Sequence, residues 1–538
     1  MTATRPLRVR QWLLLGVALL ALNVAVTFHN VWPTLWVRPT TELSIELAVL
    51  VLALVAWTAF VRPLGRVAWW LVTLLVLVFV LGRYAEVTAP ALYGRPVNMY
   101  WDSQHLPKIA AMLAAAGPWW LVGLVAIVGI VSFAALVGAL AWCLKRVAHA
   151  LAVPSARRVL ALLAGVVVVL YVASSKLGWP TQPRYSLPVT VTYWQQARFV
   201  LSAYTADGNR SLPVVPLTHS NLGRLEGDDV VLMFLESYGA VSYDTPWIAR
   251  IVAPARDELA HAATDTGRRI VSAYASSPTF GGGSWLAHAS FMSGFEVRDP
   301  GDYALLLTQQ RDTWPKLFKS LGYRAVAVMP GMKSAWPEGS YYGFDRIYDE
   351  QAVDYHGPEF GWWRIPDQFS LARVSALESA DESLAPLFTF FPTINTHIPF
   401  LPVPPYQPDW QRLGTPEPFD ADDVNDSLAR TPDWEALGGP YAESFVYTFT
   451  YLAGFLRERP AADEILILIG DHQPAASVAG PEARWDVPVH VITPRADIAE
   501  DLLAAGFVEG VALAPEQRPV ATLSELSALL LRTFDAPQ

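Results

Sequence analysis

The sequence predicts two parts: a five-helix transmembrane region at the amino end, and an α/β three-layer domain outside the cytoplasm. Five apolar stretches, each near the length of a bilayer-spanning helix, predict the first part. Short, continuous apolar runs between helical or turn-rich segments predict a sheet covered on both faces. We therefore expect a transmembrane domain at 1–176, a linker at 177–226 and a folded domain at 227–538.

The predicted spans cover residues 11–29, 43–62, 67–87, 118–144 and 159–175. They concentrate the apolar residues of a chain that is 53% hydrophobic and only 16% charged, which is more apolar than an average soluble protein. The first stretch is too long for the core of a signal peptide and has no clear cleavage site, so we interpret it as a retained anchor.

Basic residues predict the orientation of these spans. They cluster before the first span (Arg5, Arg8, Arg10), between the second and third (Arg62, Arg66), and between the fourth and fifth (Lys145, Arg146, Arg157, Arg158). The positive-inside rule then predicts a multi-pass protein of the cytoplasmic membrane with a cytoplasmic amino terminus. Residues after Lys176 are expected to be periplasmic or extracellular.

The charge differs between the two parts. Residues 1–180 hold 14 Lys and Arg against 4 Asp and Glu, whereas the remaining residues hold 25 against 45. Such an acidic outer domain argues against nucleic acid as a partner. Cys143 is the single cysteine, so no intrachain disulfide is possible and the domain must rely on a sizeable core.

Six apolar runs are predicted to be strands of the outer domain: Val230–Leu235, Ile270–Tyr274, Ala325–Met329, Leu387–Phe391, Ile465–Ile469 and Val487–Ile492. In the preceding linker, Tyr193–Tyr204 has helical spacing with several aromatic residues. Two interpretations of this helix are open: it lies on the outer membrane surface, or it packs on the outer domain.

Polar residues stand where three of these runs end. Glu236-Ser237 follows the first run, Asn395 and His397 follow the fourth, and Asp471-His472 follows the fifth. Singly, each is more typical of a cap or a structural partner. Because ligands gather beyond the carboxyl ends of strands in open α/β sheets, their recurrence predicts one shared site. Adjacent acid and imidazole groups are suited to binding a metal.

The run Ile270–Tyr274 leads to the turn Gly281-Gly-Gly-Ser284. Glycines let backbone N–H groups approach an anion closely, and a serine that opens the next helix has the helix dipole behind it. Ser284 is thus a candidate nucleophile toward phosphorus. The alternative is an ordinary turn in which Ser284 caps the helix.

Together these motifs resemble the sulfatase-like branch of the alkaline phosphatase superfamily. ESYGA, GGGS, NTHIPF and GDHQP occur in the order that the family shows, after five predicted spans. The chain more narrowly resembles lipoteichoic acid synthase and the related phosphoglycerol transferases. The resemblance covers nearly the whole chain, and it implies that 227–538 is a sulfatase-like catalytic domain.

The resemblance also implies roles for individual residues. Glu236, Asp471 and His472 match the metal ligands, with Ser284 as nucleophile and fourth ligand, and His397 matches a substrate-side histidine. Trp336 matches a tryptophan that lines the head-group pocket. Where the family has an arginine two residues later, this chain has Glu338, and we consider Lys333 or Arg364 as substitutes. His288, one helical turn after Ser284, is a further candidate for substrate contact, although a packed histidine is the more common case.

The reaction implied is transfer of phosphoglycerol from a membrane phospholipid to a cell-envelope glycan or glycolipid, through a phosphorylated Ser284. One divalent ion, Mn²⁺, Zn²⁺ or Mg²⁺, is the implied cofactor. Phosphoethanolamine transfer and a sulfatase-like phosphodiesterase or hydrolase activity are the alternatives. Sulfate hydrolysis is disfavoured because Ser284 does not open the C/S-x-P-x-R sequence that sulfatases need. A binding module without activity and a transporter are less consistent with the retained motifs and with spans that lack an evident charged pathway.

Overall fold

The computed structural model of the chain describes residues 6–31, 34–61, 64–93, 118–176, 185–206, 212–213, 217–332, 336, 338–361, 363–380, 385–459, 463–480 and 482–536. The chain forms two compact units. Residues 1–91 and 96–209 form the first, and residues 92–95 and 210–538 form the second. The second unit thus begins inside the predicted linker.

The first unit is mostly helical. Its described helices are α1 (Val9–Thr27), α2 (Ile45–Phe60), α3 (Arg66–Tyr93), α4 (Trp119–Leu151), α5 (Pro154–Lys176) and α6 (Val189–Ala206). Two short strands, β1 (His29–Asn30) and β2 (Val37–Arg38), pair antiparallel. Within the described residues, α1, α3, α4 and α5 are long and apolar enough to cross a membrane.

Helix α2 is shorter than the predicted span 43–62. It has 16 residues, because Ser44 caps its first turn by accepting the N–H of Leu47 at 3.1 Å. A helix of this length rises about 24 Å, less than the roughly 30 Å hydrocarbon core of a bilayer. The structure therefore has four candidate spans and one shorter apolar helix in the described part of this region.

A partly buried ionic cluster lies within this apolar unit. Arg83 on α3 is 2% exposed, and it donates to the carbonyl oxygen of Phe28 at 2.9 Å and to Glu86 at 2.8 Å. His29 Nε2 lies 3.2 Å from Arg83 and 3.1 Å from Glu42. The sequence analysis did not foresee this cluster, because its members come from three separate segments.

Helix α6 contains the aromatic segment of the linker, and it belongs to the first unit. Thr192 donates to Glu86 at 2.6 Å, and the Tyr193 hydroxyl donates to the carbonyl oxygen of Val78 at 2.8 Å. The backbone N–H of Thr190 donates to Glu46 at 2.7 Å. These bonds hold α6 against α2 and α3, and its position on the outer membrane surface stays a prediction.

The second unit contains a mixed sheet and many helices. Its strands are β3 (Asp229–Leu235), β4 (Arg269–Ser276), β5 (Arg324–Met329), β6 (Arg346–Asp349), β7 (Leu387–Pro392), β8 (Glu464–Gly470), β9 (Asp486–Thr493), β10 (Val508–Glu509) and β11 (Ala521–Thr522). Its longer helices are α8 (Pro246–Asp265), α9 (Ser284–Ser293), α10 (Pro300–Thr308), α14 (Asp367–Ser379), α15 (Ala421–Ala429), α16 (Gly438–Glu458), α18 (Ala496–Ala504) and α19 (Leu523–Thr533). Short helices are α7 (Val241–Asp244), α11 (Trp314–Ser320), α12 (Gly339–Tyr342), α13 (Glu350–Val353) and α17 (Ala476–Ala479).

The strands pair in the order β10-β4-β9-β8-β3-β7-β5-β6, with β11 also beside β4. Strands β3, β5, β6, β7 and β8 run parallel, whereas β9 runs antiparallel to both β8 and β4. All six predicted runs lie in strands of this sheet, which confirms a mixed α/β domain. Strand β3, which ends at the first motif, is near the middle.

Alternate residues of the central strand enter two different hydrophobic clusters. Val231, Met233 and Leu235 pack with residues of α8 and α16, whereas Val230, Leu232 and Phe234 pack with residues of α9 and α19. Successive side chains of a strand point to opposite faces, so apolar cores cover both faces of the sheet. This burial explains why the strands are continuously apolar rather than alternating.

Gly470, the last residue of β8, allows a close backbone approach. A β-carbon there would lie 1.9 Å from the carbonyl oxygen of Tyr238. We expect Gly470→Ala to destabilise the full-length protein by about 3 kcal/mol or more, because backbone must move to relieve the clash. The thermal unfolding midpoint, followed by tryptophan fluorescence, measures the effect.

The matched control is Gly439→Ala, near the start of α16, where a β-carbon meets no atom within 4 Å. Alanine is favoured over glycine in helices by up to about 1 kcal/mol, so this variant should unfold at the same temperature or higher. Equal midpoints for the two variants would contradict the close approach at Gly470.

Candidate active site

The pairing of β3 with β8 places two motifs side by side. These strands are parallel neighbours in which Leu235 is opposite Gly470, so the next residues, Glu236 and Asp471, leave the same edge of the sheet together. Ligand atoms of Glu236, Asp471 and His472 all lie within 4.8 Å of one another. All three residues are buried, with exposed fractions of 9%, 1% and 1%.

Backbone groups fix the carboxylate of Asp471. Its Oδ1 accepts the N–H of Ser237 at 2.8 Å and the N–H of His472 at 2.7 Å. Ser237 adopts a φ of +59°, in the left-handed region that non-glycine residues seldom occupy. Its carbonyl oxygen accepts the hydroxyl of Tyr441 at 3.1 Å. A strained residue held by several bonds is typical of a functional site.

The glycine turn delivers Ser284 to these residues. Gly281, Gly282 and Gly283 have φ values of +64°, +137° and +81°, which L side chains rarely adopt. The turn ends at Ser284, the first residue of α9. Its Oγ donates to Glu236 Oε2 at 3.0 Å and lies 3.2 Å from His472 Nε2. Four residues from three segments therefore converge on one point.

One carbonyl orients both the histidine and the turn. The oxygen of Gln473 accepts His472 Nδ1–H at 2.7 Å and the N–H of Gly281 at 3.1 Å. Since a carbonyl only accepts, Nδ1 must carry the hydrogen of the neutral ring, and Nε2 presents its lone pair to Ser284 and the carboxylates. Burial lowers the pKa of His472, which favours this neutral form.

The two carboxyl groups differ in pKa. Burial acts to raise the pKa of Glu236, but nearby His472 and His397 and the hydrogen bond from Ser237 outweigh it and lower the pKa to about 2. Burial and the charge of Glu236 raise the pKa of Asp471 well above its usual range. Two acids this close do not both ionise readily without a cation.

These residues fit a divalent metal ion. They offer two carboxylates and one imidazole lone pair, which are ligands that Zn²⁺ and Mn²⁺ accept. Asp471 Oδ2 is buried and has no hydrogen-bond partner among the described residues, although an unmet buried acceptor is costly. Bound metal would satisfy this atom, and Ser284 Oγ lies beside the same ligand atoms.

The loop after β7 approaches from the other side of β3. The hydroxyl of Thr393 accepts the N–H of Glu236 at 3.0 Å, and the hydroxyl of Thr396 donates to the carbonyl oxygen of Glu236. His397 follows, with Nδ1 donating to the carbonyl oxygen of Ile398 at 2.9 Å and its ring packed edge-on against Trp363 at 4.7 Å. Nδ1 is engaged in the bond to Ile398, and Nε2 is the other ring nitrogen of His397.

Sequence reasoning missed the residue that anchors this loop. Asp367, the first residue of α14, is fully buried, and its carboxylate accepts the N–H groups of Ile394 and Asn395 at 2.9 Å each. In return, Asn395 Oδ1 accepts the N–H of Asp367 at 2.6 Å. Burial raises the pKa of Asp367 to about 7 despite these bonds. Asn395 was recognised as a strand-end residue, but no local pattern links it to an acid 28 positions earlier.

His288 lies beneath the site rather than in open solvent. Its ring packs against Phe234 at 4.6 Å and Phe390 at 5.5 Å, and burial lowers its pKa to about 3. Its Nε2 is buried with no hydrogen-bond partner among the described residues. A neutral, packed ring is consistent with the structural interpretation, and a role in substrate contact stays a prediction.

The other predicted substrate residues have different surroundings. Trp336 stacks on Tyr342 at 5.6 Å, and Arg364 pairs with Glu350 at 2.5 Å and with Glu359. Two carboxylates therefore already neutralise Arg364. Lys333 lies outside the described residues. Glu338 immediately precedes α12, close enough to Tyr342 for its charge to help raise the pKa of that phenol.

No family model and no curated protein matches the sequence. Among solved structures, the chain is similar to the lipoteichoic acid synthase LtaP from Listeria monocytogenes, with 13% identity and a TM-score of 0.35 over 61% of this chain and 81% of that one. It is similar to a Vibrio parahaemolyticus protein of the alkaline phosphatase superfamily, with 18% identity and a TM-score of 0.36 over 59% and 76%. It is also similar to the Streptococcus pyogenes phosphoglycerol transferase GacH, solved with sn-glycerol-1-phosphate, with 12% identity and a TM-score of 0.34 over 63% and 90%.

The donor set predicts stabilisation by metal. At free Mn²⁺ or Zn²⁺ near 100 times its dissociation constant, we expect binding to stabilise the protein by about 2.7 kcal/mol. Asp471→Asn should lose most of this gain, because it replaces the carboxylate that bears the unsatisfied oxygen. Thermal unfolding of the full-length protein with and without metal, after chelation, measures both values.

The matched control is Asp426→Asn, an exposed aspartate on α15. It should keep the full stabilisation by metal. An Asp471→Asn protein that gains as much stability from metal as the control would rule out this site.

Proposed function

We propose that this protein transfers a phosphorylated head group from a membrane phospholipid to a cell-envelope glycan or glycolipid, through a covalent intermediate on Ser284. The observation that carries the proposal is the position of Ser284 Oγ, 3.0 Å from Glu236 Oε2 and 3.2 Å from His472 Nε2 at the carboxyl edge of the sheet. A hydroxyl placed between a carboxylate and an imidazole lone pair is typical of an activated nucleophile.

A divalent cation held by Glu236, Asp471 and His472 would lower the pKa of the Ser284 hydroxyl and offset negative charge in the transition state. The protein's own groups orient the reaction. The hydrogen bond to Glu236 directs one lone pair of Ser284 Oγ outward, and the glycine turn fixes the backbone from which the side chain projects. Both interactions reduce the entropy cost of bringing the nucleophile to phosphorus.

In the first step, a bond forms between Ser284 Oγ and phosphorus, and the bond between phosphorus and the diacylglycerol oxygen breaks. Ser284 releases its proton to solvent before the attack, and the diacylglycerol oxygen receives a different proton from the protein. His397 Nε2 is the group proposed to protonate the leaving oxygen, because its Nδ1 is already committed to Ile398.

In the second step, an acceptor hydroxyl attacks the same phosphorus and the bond to Ser284 Oγ breaks. His397 Nε2 takes the proton of the acceptor and so recovers the proton that it gave up in the first step, while Ser284 Oγ takes a proton back from solvent. One histidine thus serves as acid and then as base, and the enzyme ends each cycle in its starting state.

The apolar helices that precede the domain favour a lipid donor. Four helices long and apolar enough to cross a membrane precede the domain, which tethers the nucleophile to a bilayer. Tethering raises the effective concentration of lipid at the site, whereas a phosphatase for soluble esters gains nothing from it. We also propose that this domain is a three-layer, sulfatase-like domain and that it lies outside the cytoplasm.

Ser284→Ala should abolish the release of diacylglycerol from phospholipid and also the covalent adduct, because alanine has no oxygen for attack. Ser284→Thr should keep at least part of both, since threonine retains the hydroxyl. Full-length protein is incubated with phosphatidylglycerol and metal without acceptor, digested, and analysed by mass spectrometry of the peptide that contains residue 284.

The mass of that peptide identifies the group transferred. Phosphoglycerol is the expected addition, and unmodified peptide with undiminished turnover would refute a covalent route through Ser284. Turnover that survives Ser284→Ala would remove this residue from the role of nucleophile.

Phosphoethanolamine is a second candidate, and Glu338 is the observation that favours it. A carboxylate where the resembling enzymes have arginine would pair with an ammonium head group and repel a second anion. If ethanolamine is the natural head group, Glu338→Gln should reduce kcat/KM for phosphatidylethanolamine roughly tenfold and leave phosphatidylglycerol nearly unaffected, because one charged hydrogen bond contributes about 1.5 kcal/mol.

The control for this comparison is Glu435→Gln, an exposed glutamate in the turn before α16. It should affect both donors equally. An equal loss with both donors in Glu338→Gln would show that Glu338 does not select the head group.

A further inference from the structure

Several exposed tryptophans of the second unit lie at one edge of the sheet. Among the described residues of this unit, those classed as large and exposed are Trp247, Ile251, Trp285, Leu321, Leu428, Trp434 and Trp485. Four of these are tryptophans, with exposed fractions between 38% and 60%. Exposed apolar side chains that gather at one edge of a folded domain are candidates for an interaction site.

Two of the tryptophans flank the nucleophile. Trp285 directly follows Ser284 in the chain. Trp485 packs on Phe280 at 5.8 Å, and its carbonyl oxygen accepts the N–H of Ser277 at 3.0 Å. Phe280 is the residue immediately before the glycine turn, so both indoles border the turn that presents Ser284.

The other two lie at the start of helices that begin on the same edge. Trp247 is the second residue of α8, which starts just after β3 ends. A β-carbon on Gly438, the first residue of α16, would lie 2.7 Å from the Trp247 ring, so the two helix starts touch. Trp434 lies four residues before Gly438. The hydroxyl of Tyr441 donates to Ser237, which confirms that α16 begins at the carboxyl edge of the sheet.

We propose that this tryptophan edge, Trp247, Trp285, Trp434 and Trp485, docks on a lipid surface, so that Ser284 receives its donor directly from a bilayer. The inference deepens the proposed function and rests on the lipid donor named there. Tryptophan is the side chain that membrane–water interfaces favour, because its ring is apolar and its N–H remains hydrated. The same chain carries helices that are suited to crossing a bilayer.

Charge does not account for this surface. Trp434 stands between Asp433 and Glu435, and the chain after residue 180 has 45 acidic against 25 basic residues. A basic patch would attract anionic lipid, and its affinity for the bilayer would fall at high salt. Insertion of indole rings does not depend on ionic strength. The edge should therefore bind zwitterionic bilayers and keep that contact in high salt.

The single cysteine of the chain makes the test direct. In a Cys143→Ala background, Trp247→Cys and Trp434→Cys are labelled with an environment-sensitive nitrobenzoxadiazole dye. Full-length protein is reconstituted in phosphatidylcholine nanodiscs with and without brominated acyl chains. We expect bromine to quench both labels by about twofold or more, equally at low and high salt, as for groups at the membrane interface.

Leu321→Cys is the matched control, because Leu321 is 40% exposed but follows α11 at the amino end of β5, on the opposite edge. Its label should not be quenched. Equal quenching at all three positions, or none at 247 and 434, would overturn the proposal. A blue-shifted label without quenching would show that protein rather than lipid covers the edge.

The experiments distinguish a failure of the docking proposal from a failure of the proposed reaction. Ser284→Ala in the same labelled background should leave the quenching unchanged, since the measurement needs no turnover. Quenching without any phospholipid turnover would keep the docking surface and reject the proposed reaction. Turnover without quenching would keep the reaction and reject the docking surface.

Discussion

The parallel pairing of β3 with β8 is the constraint on which the site depends. Because Leu235 and Gly470 are partners in the ladder, the acids that follow them leave the sheet about one strand spacing apart. No side-chain flexibility is needed to bring them together. The same pairing requires Gly470, whose neighbour across the turn is the Tyr238 carbonyl, so the geometry of the strands and that of the ligands are set by one element.

Burying the carboxyl groups of Glu236 and Asp471 this close together is energetically unfavourable, and neighbouring groups offset only part of this cost. Backbone N–H groups stabilise one oxygen of Asp471, while its other oxygen has no hydrogen-bond partner among the described residues, and the pKa of Glu236 is lowered while that of Asp471 is raised. A cation removes both the repulsion and the unmet acceptor. Such a loss of stability is common at sites where a bound ligand supplies the missing interaction.

Sequence reasoning found the residues whose signals are local. Apolar runs predicted the strands, and Glu236, Ser284, Asp471 and His472 stood at the ends of those runs or in a glycine turn. It did not find Asp367, which acts on residues 394 and 395, or the Gln473 carbonyl, which any residue type supplies. It predicted five spans, but helix α2 is shorter than the span predicted for it. The apolar composition of this segment does not reveal the cap at Ser44. Long-range hydrogen bonds of this kind leave no periodic trace in a sequence.

The Gln473 carbonyl also has a consequence for how the nucleophile is held. It accepts from His472 Nδ1 and from Gly281, so the tautomer of the ligand and the position of the turn share one acceptor. A shift of the turn away from the ligands would stretch its bond to Gln473, and a protonated Nε2 would remove the lone pair that faces Ser284. Ser284 and the three candidate ligands are therefore held as one preorganised unit, an arrangement that would lower the reorganisation needed during the proposed phosphoryl transfer.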